Sequence, residues 1–290
     1  MLTEIQKKER LTGLGGSDIA PILGLSPYRT AVEVYQSKLG LEEEKEMTEW
    51  QMIGHWVEEG VLNRWFNQKY GEFKKNFPTI RHSSYPFMLA NIDGFWDQEK
   101  TILEFKNVGG FKDSMKWGEA GSDDVPVYYA LQVAHYMEVM NVDNAKIIAL
   151  FGGNLIEEFN LVRDEGMLAG LGPELIRKEK EFWEINVENC LPPEPQTRAD
   201  CKILFPNARQ FSRKEANHAI TVEVRDYMTK YEKLKELKQE VEDHKTAIIK
   251  YLQEAEILTI GNSDVLTYKN TNSKTRHRHF HVKKDFLKSV

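Results

Sequence analysis

The fold is decided by residues 91–106, which read NIDGFWDQEKTILEFK. The pattern predicts two short strands on either side of a polar turn at residues 97–100. Side chains alternate between the two faces of a strand, so Glu104 and Lys106 point the same way. If Asp93 ends the first strand beside them, two acids and one cation meet on one face of a small sheet.

The composition is that of a globular protein. With 290 residues, 41% hydrophobic and 29% charged, the chain can form one large domain and a smaller appendage. No apolar run reaches the roughly 18 residues of a membrane helix, and the charged residues 1–10 are unlike a signal peptide. Cys190 and Cys201 are too few for a disulfide framework or a zinc site. We expect a cytosolic protein with reduced thiols and no membrane partner.

The net charge of −6 conceals an asymmetry along the chain. Residues 269–290 hold five Lys and two Arg against one Asp, a local charge of +6 that leaves −12 on the remainder. An acidic body can still bind DNA through a local basic segment.

Two short helices are predicted near the start. Ser17 is placed to cap a helix that continues through Leu23. Ser26 and Pro27 provide the cap and first-turn proline of a second helix, which Gly40 ends.

A longer helix is predicted to begin at a capping box formed by residues 48–51. Apolar side chains then recur at helical spacing: Trp50, Ile53, Val57, Val61 and Trp65. Glu58 lies near this apolar stripe, an unusual place for an acid without a function.

The next 100 residues predict a mixed α/β (α+β) fold, a central sheet flanked by helices. The predicted segments are strands within Arg81 to Val108, a helix at Tyr128 to Val139, strands at Lys146 to Phe151 and Ile156 to Val162, and a helical region at Arg163 to Val187. The proline-rich residues 191–195 mark a domain exit. We therefore predict one domain at 1–198 and a second at 199–290.

The second domain is predicted to be a long helix followed by a hairpin. Apolar residues follow a heptad-like spacing from Ile220 to Leu252, interrupted by Lys238 and Lys245, so this helix is able to pair with another. Residues 261–264 then form a turn between two short strands.

The acids can support metal-dependent chemistry. Carboxylates around Mg²⁺ or Mn²⁺ assist phosphodiester hydrolysis, and Lys106 can position or help deprotonate water, or offset charge in the transition state. The alternative for Glu104 and Lys106 is an exposed, salt-bridged strand face. Glu58 and Gln132 favour the site, although a solvated helix edge and a core amide are their alternatives.

Six stretches occur in an order typical of one family: residues 10–20, 23–28, 54–58, 90–94, 103–106 and 132–136. With them the chain, from Arg10 to about Pro195, resembles the YqaJ-like viral recombinase nucleases. These are relatives of bacteriophage lambda exonuclease in the PD-(D/E)xK nuclease superfamily. The proline that usually precedes the first strand acid is absent, and Asn91 and Ile92 stand there instead.

The resemblance implies roles for particular residues. The implied metal ligands are Glu58, Asp93, Glu104 and the carbonyl of Phe105. The implied catalytic group is Lys106 with Glu104, Asp93 and the supporting Gln132. Arg10 and Ser17 correspond to a pair that contacts a terminal 5′-phosphate. The fold implied is the restriction-endonuclease-like core, with the long helix and hairpin appended.

The resemblance also implies an activity and partners. We expect a Mg²⁺-dependent exonuclease, with Mn²⁺ able to substitute, that digests linear duplex DNA from the 5′ end and leaves 3′ single strands for an annealing protein. A nicking or structure-selective endonuclease, or a non-cleaving protein that binds DNA ends or a partner, is the alternative. Relatives form a ring-shaped homotrimer, whereas the heptad-like helix favours a homodimer. The location would be the host cytosol if a phage encodes the protein.

Overall fold

The computed structural model describes residues 4–42, 48–109, 115–261, 263–270 and 278–282. The chain divides into two compact units, Met1–Ala208 and Arg209–Val290. The boundary lies after the helix Arg198–Leu204 because this helix is bonded to the first unit. Its buried Asp200 accepts a hydrogen bond of 2.6 Å from the Thr30 hydroxyl. Residues 271–277 and 283–290 of the predicted basic segment lie outside the described residues.

The first unit combines short helices with two small sheets. Its α-helices are α1 (Glu4–Glu9), α2 (Gly16–Ile22), α3 (Ala31–Lys38), α4 (Glu49–Val57), α5 (Asn63–Tyr70), α6 (Val127–Met140), α7 (Leu171–Glu181) and α8 (Arg198–Leu204). Its strands are β1 (Leu14–Gly15), β2 (Ile80–Arg81), β3 (Met88–Ala90), β4 (Gly94–Trp96), β5 (Thr101–Val108), β6 (Asn144–Phe151) and β7 (Leu155–Val162). A π-helical turn at Glu58–Leu62 joins α4 to α5, and another at Phe182–Glu188 extends α7.

The larger sheet has the order β4-β5-β6-β7. The central pair β5–β6 is parallel, whereas β4–β5 and β6–β7 are antiparallel. Ile102 belongs to the hydrophobic core on the α6 side, and Leu103 and Phe105 belong to a separate cluster with α5. The predicted mixed sheet is confirmed, and so is the alternation of side chains along β5.

Two predicted helix starts are wrong. Gly15, not Ser17, is the N-cap of α2, because the Asp18 carboxylate accepts the Gly15 N–H at 2.9 Å and satisfies the end of the helix. The helix α3 begins at Ala31 with Thr30 as its cap. Ser26 instead stabilises a turn, in which its hydroxyl accepts the N–H groups of residues 28 and 29. The capping box at residues 48–51 is confirmed.

The second unit contains the predicted long helix, α9 (His218–Leu252), and a three-stranded antiparallel sheet of β8 (Ile257–Ile260), β9 (Ser263–Asn270) and β10 (Arg278–Val282). The β8–β9 hairpin is as predicted, whereas β10 adds a third strand. Ile248 and Leu252 pack against this sheet. Throughout the described residues, no helix has both the length and the apolar character that crossing a bilayer requires.

Candidate active site

The β4–β5 hairpin brings the sequence-predicted acids and lysine to one edge of the larger sheet. Asp93 immediately precedes β4, and its Oδ2 accepts the Phe105 N–H at 2.8 Å. On the α6 side of β5, the Lys106 ammonium donates to Glu104 Oε1 at 2.6 Å. The exposed salt-bridged face is excluded, because Glu104 is only 3% exposed.

Helix α6 supplies the next contacts. Gln132 donates through Nε2 to Glu104 Oε1 at 2.6 Å, and its Oε1 accepts from Lys106 Nζ at 3.1 Å. The same amide donates to the Tyr136 hydroxyl at 3.2 Å. Gln132 therefore holds the acid and the lysine in one network. The Lys106 ammonium also lies 4.7 Å from the centre of the Tyr129 ring.

Glu58 lies at the first position of the π-helical turn between α4 and α5. Such turns occur frequently at functional sites, because the extra residue redirects side chains. Burial raises the pKa of Glu58 to about 7, and the negative charge of Asp93 adds to the effect. His55 Nδ1 lies 3.8 Å from a carboxylate oxygen of Glu58.

Burial also raises the pKa values of the other two acids, and these acids in turn act on Lys106. Burial, followed by the charge of Asp93, raises the pKa of Glu104 to about 8. Burial also raises the pKa of Asp93, against the opposing effects of Lys106 and the Phe105 N–H. Burial alone would lower the pKa of Lys106. The negative charges of Glu104 and Asp93 outweigh burial and raise this pKa above its ordinary value.

The donor set fits a hard divalent cation. Carboxylate and carbonyl oxygens are the ligands that Mg²⁺ and Mn²⁺ prefer, and a nearby cation favours the ionised form of acids whose pKa values are raised by burial. Glu104 Oε2 is buried and has no hydrogen-bond partner in the described part of the chain. Within the same ranges, no three His, Cys, Asp or Glu side chains already form a group able to hold a metal ion. The predicted ligand set therefore stays a proposal.

Arg10 and Ser17 also meet, as expected for a common site. The Arg10 guanidinium donates to the Ser17 hydroxyl and lies 3.9 Å from Asp18. Lys38 is buried beside them and donates to the Asp18 carboxylate at 2.7 Å and to the Arg10 carbonyl at 2.8 Å. Burial alone would raise the pKa of Asp18, but the charges of Lys38 and Arg10 hold it well below its usual range.

The two groups of predicted residues line one open cleft of about 660 Å³. The predicted residues on its wall are Arg10, Ser17, Glu58, Asp93, Glu104, Lys106 and Gln132. Phe105 lies on the wall of an adjoining cleft of about 340 Å³. His55 and Glu58 line both clefts, so Glu58 separates two parts of a longer groove.

The chain is similar to proteins of one known family. Residues 7–143 match the family described as the YqaJ-like viral recombinase domain. Over 263 residues the chain is 26% identical to the uncharacterized protein YqaJ of Bacillus subtilis (strain 168), covering 88% of this chain and 79% of that protein. The resemblance predicted from the sequence is confirmed.

The fold of this chain is similar to that of a solved structure. The crystal structure of an alkaline exonuclease from Laribacter hongkongensis resembles this chain, with 16% sequence identity. The match covers 65% of this chain and 96% of that chain, and its TM-score is 0.51. At this identity the likeness concerns the fold. The predicted mixed α/β core is thereby confirmed.

Three residues of the candidate site were not predicted from the sequence. Tyr136 follows Gln132 by four residues, which places both on one face of a helix, so its contact with the amide was open to prediction. Asp18 follows the predicted Ser17 directly. Lys38 carried no signal, because its meeting with Asp18 depends on the packing of α3 against α2.

Proposed function

We propose that this protein is a metal-dependent deoxyribonuclease. The observation that carries the proposal is the network at one edge of the sheet. In it the Lys106 ammonium and the Gln132 amide both bond to Oε1 of Glu104, while Oε2 remains buried and unpaired among the described residues. An acid held this way can present one oxygen to a cation and keeps a lysine beside it, an arrangement that suits metal-assisted phosphodiester hydrolysis.

The proposed ligands are Glu58, Asp93, Glu104 and the Phe105 carbonyl, and the proposed cation is Mg²⁺, for which Mn²⁺ can substitute. When bound, the cation supplies Lewis-acid stabilisation of charge on the phosphoryl group. Glu104 and Gln132 orient Lys106.

The Lys106 ammonium uses two of its three donors in the bonds to Glu104 and Gln132. The third has no hydrogen bond to another described residue, so it can hold the attacking water or stabilise charge on the phosphate. Lys106 is therefore the proposed catalytic group.

We further propose that the enzyme is an exonuclease that starts at a 5′ end. Arg10 and Ser17 lie on the wall of the same cleft as the acids, and the guanidinium and hydroxyl can both donate to a phosphate. Helix α2 has only seven residues, and the Gly15 N–H is already bonded to Asp18. The proposed phosphate site consequently rests on the two side chains.

The first experiment incubates linear and circular duplex DNA with Mg²⁺, Mn²⁺, Ca²⁺ or a chelator. We expect digestion of the linear DNA in Mg²⁺ and Mn²⁺, little in Ca²⁺ and none with chelator. Nicking of circular DNA would favour the endonuclease, and binding without cleavage in every metal would favour the non-cleaving protein.

The second experiment tests the 5′ end. A duplex with 5′-hydroxyl ends should be digested at least tenfold more slowly than a 5′-phosphorylated one, since it lacks the charge that Arg10 pairs with, and Arg10→Ala should remove most of this difference. Strand-specific end labels report the polarity. Arg209→Ala, outside the residues that match the family, is the matched control. Equal rates on both substrates with the wild-type protein would refute the phosphate site.

The partners follow from the proposed activity. Linear duplex DNA is the proposed substrate, a single-strand annealing protein the proposed recipient of the product, and the host cytosol the proposed location. For self-association we propose the homotrimer, with the dimer through α9 as the alternative outcome. The apolar heptad residues of α9 between 220 and 241 are exposed, and light scattering of the full chain separates the two assemblies.

A further inference from the structure

One motif has no part in the proposed chemistry: residues 23–28, Leu-Gly-Leu-Ser-Pro-Tyr. Ser26 fixes its turn by accepting the N–H groups of Tyr28 and Arg29 at 3.1 and 3.2 Å. Tyr28 follows this turn and is 68% exposed, so most of its ring surface faces solvent. Burial of the ring does not explain why an aromatic residue stands there.

The Tyr28 ring is held by a second tyrosine. It makes an edge-to-face contact with Tyr128 of α6, with ring centres 5.5 Å apart and an interplanar angle of 83°. Tyr128 in turn contacts Tyr129 at 4.4 Å, and the Lys106 ammonium lies 4.7 Å from the Tyr129 ring centre. A continuous row of aromatic rings thus connects an exposed ring to the proposed catalytic lysine.

The order of these rings along α6 gives the direction of this aromatic path. A Cβ on Gly16, the residue before Ser17, would lie 2.7 Å from Tyr136 and 2.9 Å from Gln132. The proposed phosphate site is therefore beside the later part of α6. Lys106 contacts Gln132 and, about one turn earlier, Tyr129, and Tyr28 contacts Tyr128 at the start of the helix. The reacting centre lies between the phosphate site and Tyr28.

The distances suit a nucleic-acid strand. From Tyr128 to Tyr136 a helix rises roughly 12 Å, and one strand of duplex DNA places a phosphate about every 3.4 Å along its axis. About three nucleotides can span this part of α6. A strand with its 5′ end at Arg10 and its scissile phosphate near Lys106 then has its following bases next to Tyr28.

We propose that Tyr28, supported by Tyr128, stacks on a base of the cleaved strand on the 3′ side of the scissile phosphate. This inference rests on the proposed nuclease function. Stacking on an aromatic ring accepts any base that has been separated from its complementary strand, because every base has a π face. This stacking platform, made of Tyr28 and Tyr128, suits an enzyme that must advance along DNA of any sequence. It also holds the strand in register after each cut.

The experiment compares Tyr28→Ala, Tyr28→Trp and the control Leu25→Ala in the full-length protein. Leu25 is in the same loop and is also exposed, but it cannot stack. On 5′-phosphorylated linear duplex in Mg²⁺, we expect Tyr28→Ala to raise KM roughly tenfold, within the range that removal of one stacked base gives, with kcat changed less than twofold. Tyr28→Trp should retain the wild-type KM, and Leu25→Ala should leave both constants unchanged.

A binding measurement tests the stacking directly. Duplexes that carry 2-aminopurine at one of the first five positions of the 5′ strand are bound in Ca²⁺. Fluorescence should be quenched at one or two adjacent positions by the wild type and not by Tyr28→Ala. An unchanged KM together with unchanged quenching in Tyr28→Ala would overturn the platform while leaving the nuclease intact. A wild type that cleaves nothing in Mg²⁺ would overturn the nuclease, and the quenching pattern would still decide whether Tyr28 contacts a base.

Discussion

At the scale of single residues, the two oxygens of Glu104 are in different situations. Oε1 accepts two hydrogen bonds, from Lys106 and Gln132, whereas Oε2 is buried without a partner among the described residues. A buried polar atom without a hydrogen bond costs about 1–3 kcal/mol. This oxygen therefore lowers the stability of the fold unless a ligand binds it, which is the expected property of a group placed for function.

We predict that Lys106→Ala lowers kcat at least a hundredfold. The reason is that a preorganised donor beside the reacting phosphate contributes about a hundred- to a thousandfold in comparable sites. DNA affinity should change little, because the proposed ligands of the cation are oxygens. Steady-state cleavage and fluorescence anisotropy of labelled duplex measure the two effects.

The matched control is Lys69→Ala. Lys69 also pairs with a glutamate, Glu158, at 2.5 Å and also lies over aromatic rings, but it is not on the wall of the cleft. Its removal should leave kcat unchanged. A Lys106→Ala protein that turns over at the wild-type rate would move the reacting centre elsewhere.

Local rules predicted some of these residues and failed for others. The alternation of β5 was enough to place Glu104 and Lys106 on one face, because a strand has a period of two. Ser17 was wrongly predicted as a cap, because the rule for serine ignores a competing acid. Asp18 reaches back to the Gly15 N–H and leaves the Ser17 hydroxyl to Arg10.

At the scale of elements, the approach of α2 to α6 depends on Gly16. A Cβ there would lie 2.7 Å from the Tyr136 ring and 2.9 Å from the Gln132 carbonyl, which is closer than real contacts permit. We predict that Gly16→Ala lowers the free energy of unfolding by about 1–3 kcal/mol, the usual range for overpacking. It should also weaken discrimination between 5′-phosphate and 5′-hydroxyl ends, since Ser17 moves with the helix. Urea unfolding and the end-dependence assay measure both.

Gly54→Ala is the control for stability. Gly54 is inside α4, and no heavy atom lies within 4 Å of its added Cβ. Alanine there should raise helix stability by up to about 1 kcal/mol. If Gly16→Ala were as stable as this control, the close packing of α2 on α6 would be incorrect.

The buried pair of His135 and Glu179 connects α6 with α7, and it makes the free energy of unfolding depend on pH. His135 Nδ1 lies 2.9 Å from Glu179 Oε2, and Nε2 lies 2.9 Å from the Leu89 carbonyl. With acceptors at both nitrogens, the ring is a double donor and carries a charge. Burial alone would lower the pKa of His135, but the Glu179 carboxylate outweighs it and raises the pKa above its ordinary 6.5.

A raised pKa in the folded state means that this stabilisation is fully present below about pH 6.5 and is lost as the pH rises through the folded-state pKa. We predict that the difference in the free energy of unfolding between the wild type and the double variant His135→Gln/Glu179→Gln decreases from pH 6.5 upward. The double variant removes the titration of both residues. The contributions of all other titrating groups then cancel in the difference between the two proteins. A difference that stays constant up to pH 9 would show that the histidine is neutral in the fold.

Elements with strong internal periodicity were predictable from the sequence, whereas two irregular or less periodic elements were not. The helices α6 and α9 and the β8–β9 hairpin appear where the sequence predicts them, since each depends on neighbours in the chain. The strand β10 was not assigned to this sheet from the sequence, although it is the next strand after β9 and pairs with it from Arg278 to Val282. The π-helical turn at Glu58–Leu62 was also missed, because one inserted residue hardly disturbs an apolar repeat.

At the scale of the whole molecule, the division after Ala208 has a physical basis in Asp200. Burial alone would raise the pKa of Asp200, but bonds from Thr30 and from the N–H groups of Thr197 and Gln196 outweigh it and lower the pKa. The proline-rich residues 191–195 gave the strongest local signal for a boundary. Local composition could not reveal a capping acid whose partner lies 170 residues away in the chain.

The basic end of the chain is the other feature of the whole molecule, and the structure changes how it should be tested. Arg278 donates at 2.9 Å to the Tyr268 carbonyl and at 2.6 Å to that of Gln253, and its guanidinium lies 4.0 Å from the centre of the Tyr268 ring. Deleting all of residues 269–290 would thus remove β10 and the packing of Phe280 against the core, and would confuse loss of folding with loss of charge.

We therefore predict the effect of a shorter deletion, of residues 283–290, which carries away three Lys and one Asp and keeps β10. If these lysines bind phosphates, DNA affinity falls and the slope of log K against log salt concentration flattens by about 0.9 for each phosphate that is no longer neutralised, because fewer counterions are released. The kcat at saturating DNA should be unchanged, since no residue of the cleft is altered. Replacing the three lysines by glutamine in the full-length chain is the matched control and should reproduce the slope. An unchanged slope in both proteins would mean that the acidic body binds DNA without this segment, and the basic groove would then have to be sought beside the cleft, around Arg10.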